Sequence, residues 1–149
     1  MMFRRSFLAA SLLPFAASAQ AVEKPDIDIS IGTWVIQYLP LPVAVANGYF
    51  KAEGLNVNVT NFQAGGSRAL QALLGGSTDM VVGFYDHTVQ MQVQNKEIRA
   101  VIMLNQLPGG AFVIRHDLAN TVKSLSDLRG MKIGITALGS SSEFQTRYF

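Results

Sequence analysis

Three strand-like stretches, each followed by a helix-like stretch, dominate the pattern of hydrophobic and polar residues along the chain. Hydrophobic and polar side chains alternate over residues 26–32 and again over residues 55–62, and residues 79–83 form a short apolar run. Alternation with a period of two indicates a strand with one buried face, and a short apolar run between turn residues is typical of a buried strand. The pattern therefore predicts three strands in the first half of the chain.

A helix is predicted after each of these strands. Residues 42–50 are mostly apolar, with a proline in the first turn and a glycine near the end. Residues 68–76 place alanine and leucine side chains on one helical face, and Ser67 is the predicted N-cap. Residues 86–94 form the third predicted helix, with Asp86 as its candidate N-cap.

Three strand–helix pairs in succession predict an α/β fold and the place of a binding site. Such pairs are joined by right-handed crossovers and build a mostly parallel sheet with helices on both faces. In open sheets of this kind, ligands bind beyond the carboxyl ends of the strands. The segments expected at a ligand are residues 33–39, 63–67, 83–86 and 105–110.

The second half of the chain predicts more strands and the start of a new unit after Ile114. A helical turn is predicted at residues 124–130, and the small-residue turn at 137–142 opens a last helix that runs toward Phe149. We expect this second unit to be left incomplete by the chain. The further predicted strands are residues 99–104, 111–114 and 131–136.

The first 21 residues have the pattern of a secretory signal peptide. Residues 1–5 contain two arginines and no acid, residues 6–17 are almost wholly apolar, and two Ala-x-Ala patterns lie within residues 17–21. The apolar run is short, because spanning a bilayer takes about 20 residues. We therefore expect cleavage near residues 19–21 and a periplasmic location.

Charge and cysteine content narrow the classes of function. Without Arg4 and Arg5, ten basic residues balance ten acidic ones, so the mature chain is formally neutral and carries no basic cluster. Nucleic acid is therefore not an expected partner. The chain has no cysteine, which excludes disulfides, thiolate metal sites and a lipid-anchored cysteine at the cleavage site.

Aromatic side chains follow two of the predicted strands. Trp34, the only tryptophan, comes after the first strand, with Gln37 and Tyr38 close behind, and Phe84 and Tyr85 follow the third. Small-molecule clefts are usually lined by aromatic walls with a few aimed polar groups, so these five residues are candidate ligand contacts. The alternatives are that Trp34 packs against the sheet edge and that one of the later aromatics lies in the core.

Glycines and serines at two predicted helix starts form a second set of candidates. Glycine lets the backbone approach a ligand closely, and free N–H groups at a helix start favour an anion. Plain capping of the helices by serine is the alternative, and both roles are compatible. The residues are Gly65, Gly66 and Ser67 before one helix and Gly139, Ser140 and Ser141 before the last.

Asp86 and the two histidines complete the candidates. Asp86 could accept a hydrogen bond from a ligand amine, although capping its own helix is the favoured role for aspartate at that position. His87 and His116 stand in no metal-ligand spacing and near no nucleophile motif, so each is predicted to be a surface or hydrogen-bonded histidine. No catalytic group, metal or cofactor is predicted.

Three motifs, at residues 46–57, 75–80 and 124–136, resemble those of one known family. The family is that of periplasmic solute-binding proteins of ABC importers, in the nitrate/sulfonate/taurine branch that also includes thiamine-precursor binders. Residues 46–57 are similar to that family's "GYF-x-x-EGL-x-V" element, and residues 75–80 to its "G-x-x-D" entry to the third strand. Residues 124–136 resemble its "SLxDLxGKxIGxT" crossover, with Met131-Lys132 in place of the commoner lysine-led pair. The order and spacing of the three motifs make the resemblance specific.

This resemblance implies a two-lobed, type II periplasmic-binding fold with the ligand held between the lobes. By that comparison residues 22–117 are a first lobe that lacks its C-terminal return, and residues 118–149 are the crossover and the start of a truncated second lobe. The loop with Gly139 would face the first-lobe glycines across the cleft. The implied function is capture of a small molecule for the permease subunits of an inner-membrane ABC transporter, as a monomer when full-length.

Two other functions on the same fold stay open at this point. One is a thiamine-pyrimidine-type biosynthetic enzyme, although that enzyme has a cysteine-rich iron-binding motif that a cysteine-free chain lacks. The other is a ligand-sensing subunit. The aromatic candidates favour an aromatic ligand such as a pyrimidine, the helix starts favour an anion, and an aromatic acid would suit both.

Overall fold

Three parallel strands form the centre of the computed structural model, which describes residues 22–106 and 109–149. The strands are β1 (Asp26–Ile31), β2 (Asn56–Asn61) and β3 (Met80–Val82), in the sheet order β2-β1-β3. Both pairings are parallel, which confirms the predicted parallel sheet. The predicted signal peptide, residues 1–21, lies outside the described residues.

Helices follow each strand, as the pattern predicts. The first predicted helix is divided in two at Gly48, which adopts a left-handed φ of 71° that glycine reaches without strain. The described helices are α1 (Pro40–Ala46), α2 (Tyr49–Ala52), α3 (Gly66–Leu74), α4 (Asp86–Val93) and α5 (Ser141–Tyr148), with short 3₁₀ turns at Ile36–Tyr38, His116–Leu118 and Leu125–Leu128.

The alternation of side chains along β1 divides the core between the two faces of the sheet. Ile29 and Ile31 are buried against Tyr38 and Leu41 on one face. Ser30, between them in sequence, points to the opposite face and donates a long hydrogen bond of 3.4 Å to the Ala69 carbonyl oxygen of α3. Elements therefore cover both faces, as a parallel sheet requires.

Close backbone approach fixes the start of α3 at the end of β1. A side-chain carbon placed on Gly32 would overlap the backbone of Gly65 and Gly66. The Ala64 amide also donates a 2.9 Å hydrogen bond to the Gly32 carbonyl oxygen. Glycine at position 32 is required because no side chain fits between these two backbone segments, and the contact brings the loop after β2 beside the carboxyl end of β1.

The predictions of strands at residues 99–104, 111–114 and 131–136 were wrong. These segments have no strand pairing in the described part of the chain, and Val113, for example, is 90% exposed. A β-strand needs a hydrogen-bonded neighbour as well as a suitable side-chain pattern, and none lies beside these segments. The predicted turn at 124–130 and the last helix are confirmed as Leu125–Leu128 and α5.

No helix among the described residues is both long enough and apolar enough to span a bilayer.

Candidate functional site

The carboxyl edge of the sheet brings the first-half candidates together with the loop before α5. A side-chain carbon on Gly65 would lie 3.1 Å from the Ala137 Cβ, and one on Gly139 would lie 3.5 Å from the Ser67 Cβ. The two glycine and serine loops therefore touch at this edge, although more than 70 residues separate them along the chain. We call this region, residues 32–39, 61–67, 83–87 and 136–142, the strand-end site.

Asp86 joins the two parts of the strand-end site. Its Oδ1 accepts a 2.7 Å hydrogen bond from the Ser141 hydroxyl, while its buried Oδ2 has no hydrogen-bond partner among the described residues. The prediction that Asp86 caps α4 was wrong. Tyr85, in helical conformation, is the N-cap, and Asp86 is already the first residue of the helix, so its carboxylate is free to reach across to α5.

Ser140 and Ser141 lie at the start of α5, where most polar groups have local partners. Ser140 caps the helix by accepting a 3.4 Å hydrogen bond from the Glu143 amide, and its hydroxyl donates to the Ala137 carbonyl at 2.6 Å. Glu143 in turn accepts a 2.6 Å hydrogen bond from the Gly139 amide. The hydrogen bond from Gly139 has the largest effect in lowering the pKa of Glu143, and the hydrogen bond from Arg147 lowers that pKa further. A carboxylate of this chain thus already occupies the α5 start.

The start of α3 differs, because no side chain caps it. Gly65 is the N-cap residue, with a φ of 76°, and Gly66 opens the helix. The prediction of Ser67 as N-cap was wrong: Ser67 lies inside the first turn and makes no side-chain cap. The positive φ at Gly65 turns the loop directly into the helix, so α3 starts two residues earlier than the sequence pattern indicates.

The aromatic candidates divide between core and surface. Tyr38 is only 7% exposed and packs on Phe84 with ring centroids 6.0 Å apart and planes tilted by 55°. Burial, with a smaller effect of the Asp86 charge, raises the pKa of Tyr38 to about 12. Tyr85 is exposed. Of the two aromatic residues that follow β3, Phe84 therefore packs against the core and Tyr85 lies at the surface.

Trp34 and Gln37 lie on the segment that follows β1. Trp34 is 45% exposed, so part of its indole is available to a ligand. The Gln37 side chain is engaged, because its amide nitrogen donates a 3.0 Å hydrogen bond to the Gly109 carbonyl oxygen. The Asn105 side chain donates to the Gln37 backbone carbonyl at 3.1 Å, so Asn105 and Gly109 both contact the segment that follows β1.

His87 is the residue at this site whose environment the sequence did not indicate. His87 is only 3% exposed. Neither nitrogen of its ring has a hydrogen-bond partner among the described residues. A side-chain carbon on Gly66 would lie 2.7 Å from its Cε1, and one on Gly83 would lie 3.0 Å from its Nδ1. The prediction of a surface or hydrogen-bonded histidine was wrong for His87 and fits His116, which is exposed.

Burial and charge act on His87 in opposite directions. Burial lowers the pKa of the imidazole below its ordinary value of 6.5, and the neighbouring Asp86 charge partly opposes this. The ring is therefore neutral at pH 7, with one N–H donor and one acceptor nitrogen. Two glycines, Gly66 and Gly83, leave the space for this ring. The sequence does not show this space, because Gly66 and Gly83 lie 17 positions apart and come together only in the folded structure.

Two cavities lie away from the strand-end site. One, of about 240 Å³, lies at the amino ends of β1 and β2. The other, of about 360 Å³, is enclosed by residues of the second half; its lining is Phe112, Leu125, Ser126, Leu128, Arg129, Ile133, Thr146 and Phe149. Neither cavity is lined by residues of the strand-end site, where Asp86 and His87 have polar atoms without a hydrogen-bond partner among the described residues. Among the described residues, no group of three or more potential ligands could hold a metal ion.

Comparisons with known proteins identify the family of the chain. The family model described as "NMT1/THI5 like" matches residues 35–147. The protein named "Putative binding protein YtlA" of Bacillus subtilis (strain 168) is 28% identical over 109 residues, which cover 72% of this chain and 32% of that protein. A solved structure of a protein from Bordetella bronchiseptica RB50 is 37% identical with a TM-score of 0.70, over 87% of this chain and 41% of that one.

The chain spans between about a third and two fifths of the length of these two relatives. The matched family model covers well over half of the chain, and the TM-score of 0.70 shows that the solved relative has a similar fold over the part that this chain covers. The predicted resemblance is therefore confirmed: the chain belongs to the NMT1/THI5-like family and has the type II periplasmic-binding fold.

Proposed function

We propose that this chain belongs to an extracytoplasmic solute-binding component of an ABC transporter, which captures a small organic molecule and delivers it to the permease subunits. The observation that carries the proposal is the contact at the strand-end site, where Gly65 and Asp86 meet Ala137 and Ser141. Two stretches that are far apart in sequence come together where ligands bind in open α/β sheets. The name of the Bacillus relative and the family match support a solute-binding role in general.

In this proposal, residues 22–117 contribute to a first lobe and residues 118–149 begin a second one. The ligand lies between them, against the carboxyl ends of β1, β2 and β3. The lobes would close on the ligand, and the permease would bind the surface that the closed form presents. The hydrogen bond from Ser141 to Asp86, at 2.7 Å, is a contact between these two parts of the chain.

The site supports an aromatic ligand better than a simple anion. The half-exposed Trp34, which follows β1, and the exposed Tyr85, which follows β3, offer aromatic surface to a ligand. The expected anion site at two helix starts is weaker, because Glu143 already accepts the Gly139 amide at the start of α5. Of these two helix starts, that of α3 has no side-chain cap.

We also propose binding without catalysis, in the periplasm. The Bacillus relative is named as a binding protein, and the cysteine-rich motif of the biosynthetic enzyme has no counterpart in a chain without cysteine. Residues 1–21 would direct export and be removed near residues 19–21. Recovery of the protein from the periplasmic fraction with a new N-terminus in that range would support this part, and recovery from the cytoplasm with Met1 retained would contradict it.

The binding role is tested by tryptophan fluorescence of the purified full-length protein. The reporter is Trp34, the single tryptophan of residues 1–149, and any other tryptophan of the full-length protein is replaced by phenylalanine. Pyrimidines, aromatic carboxylates, sulfonates and aromatic amines are titrated in turn. We expect a saturable change with one class, and we expect Trp34→Phe to abolish the fluorescence change while calorimetry still detects binding. A flat response together with unchanged melting temperatures for every class would contradict the proposed function.

A further inference from the structure

We propose that the ligand carries a cationic nitrogen with N–H donors, such as an ammonium or amidinium group, and that Asp86 accepts hydrogen bonds from it. This inference rests on the proposed function and adds the substrate class. It differs from the anion that two facing helix starts would suggest. Three observations carry it: the distribution of charge at the strand-end site, the unpaired oxygen of Asp86, and the unpaired nitrogens of His87.

The formal charge at the strand-end site is negative: Asp86 is the charged residue within its segments, and the Glu143 carboxylate, paired with Arg147, accepts the Gly139 amide at its border. Residues 32–39, 61–67 and 136–142 contain no lysine, arginine, aspartate or glutamate, and residues 83–87 contain only Asp86. Arg68 follows the site in sequence but is exposed on α3. A site with one carboxylate and no cationic side chain of its own attracts a cation and repels an anion.

Asp86 has an acceptor left for such a ligand. Its Oδ1 accepts from Ser141, while Oδ2 is shielded from solvent and has no partner among the described residues. A buried carboxylate oxygen without a hydrogen bond costs free energy, because the hydration it loses is not replaced. An N–H group that carries positive charge would supply both the hydrogen bond and the compensating charge.

His87 adds unused hydrogen-bonding capacity next to Asp86. His87 is 3% exposed, neither ring nitrogen has a hydrogen-bond partner among the described residues, and Gly66 and Gly83 leave the space that the ring fills. A neutral imidazole has an acceptor nitrogen that tolerates a nearby cation. The acceptors at this edge are the Asp86 Oδ2 and one nitrogen of the neutral imidazole, whose other nitrogen is a donor. The two acceptors suit a group with several N–H bonds better than an oxyanion, which offers acceptors only.

The test compares ligands of matched shape and different charge on the full-length protein. The first set is benzamidine, benzamide and benzoate, and the second is phenethylamine, phenethyl alcohol and phenylpropionate, each followed by calorimetry at neutral pH. In at least one set we expect the cation to bind at least tenfold more tightly than the neutral and anionic members. Asp86→Asn, which keeps an oxygen for Ser141, should then lower the affinity for the cation at least tenfold. Asp117→Asn is the control, since Asp117 pairs with Arg115 outside the site.

The outcomes separate the inference from the proposed function. Tighter binding of an anionic or neutral member would overturn the cationic class but leave the solute-binding role in place. An unchanged affinity of Asp86→Asn for the cation would overturn the role of Asp86. If no member of either set binds and no melting temperature changes, the result counts against the proposed function and against the inference that rests on it.

Discussion

The Ser141 hydroxyl on α5 donates a 2.7 Å hydrogen bond to the Asp86 carboxylate on α4, across 55 positions of sequence. This contact ties the last helix to the edge of the sheet at which β1, β2 and β3 end. It also explains why Asp86 is not the cap of its own helix. A side chain that could serve the local backbone instead connects two distant parts of the chain.

Ser141→Ala should destabilise the protein by about 1–2 kcal/mol, because hydrogen bonds to a charged group are stronger than neutral ones and the carboxylate would lose its partner. The free energy of unfolding in urea measures this. Ser126→Ala is the control, since Ser126 is exposed, and it should change stability by less than about 0.5 kcal/mol. Equal effects of the two substitutions would show that the bond to Asp86 contributes nothing to stability.

Gly66→Ala should destabilise the protein by about 1–3 kcal/mol through overpacking against His87. The added Cβ would lie 2.7 Å from the His87 Cε1, whereas Gly134→Ala, the control, has open space around it. Neither glycine has a positive φ, so backbone strain does not enter the comparison.

A double-mutant cycle identifies the imidazole as the cause. In a His87→Ala background, Gly66→Ala should cost clearly less than in the natural sequence, because the ring that it meets has been removed. Urea unfolding of the four proteins supplies the coupling energy. Purely additive effects would place the cost of Gly66→Ala somewhere other than His87.

The stability of the protein should fall as the pH is lowered from about 7 toward 5. Burial lowers the pKa of His87 below 6.5 in the folded state, so below that pH the unfolded chain binds a proton that the folded chain resists. Stability is therefore complete above the unfolded pKa and decreases as the pH falls toward the lowered one. Denaturant unfolding at several pH values measures the slope.

Two histidine variants assign that slope. His87→Gln should flatten the pH dependence between 7 and 5, because a glutamine does not titrate, whereas the exposed His116→Gln should leave it in place. A slope that survives in His87→Gln and disappears in His116→Gln would contradict the assignment. Carboxylates whose pKa values are lowered, such as those of Asp127 and Glu143, lose their contribution only at lower pH.

Tyr38 should be the tyrosine that ionises last. Burial raises its pKa from 10.0 to about 12, so an alkaline titration followed by tyrosinate absorbance should contain a late step that Tyr38→Phe removes. Stability should also fall between pH 10 and 12, because only the unfolded chain loses that proton there. Tyr85→Phe, in which an exposed ring is changed, should leave the late step unaltered. Loss of that step in Tyr85→Phe would contradict the assignment.

The sequence predicted the place of the candidate site better than its contents. Periodicity located the three strands of the sheet, and the strand-end rule then selected the segments that carry Trp34, Gly65 and Asp86. The partners of these residues were not predictable in the same way. Whether Asp86 caps α4 or reaches Ser141 depends on where a helix 55 residues later lies, and no local pattern contains that information.

The sequence by itself determined the parallel α/β arrangement, because hydrophobic periodicity and turn residues act over a few neighbouring positions, and its motifs determined the family. The edge of the sheet at which a ligand binds stays a prediction from the same pattern. Only the tertiary structure decided that His87 is buried and that Gly32 and Gly65 are in backbone contact. It also decided that, within residues 22–106 and 109–149, His87 has no hydrogen-bond partner and residues 99–104 do not pair as a strand. Burial, close approach and strand pairing are each a relation between distant parts of the chain, so they are set by how the elements pack together and not by any element alone.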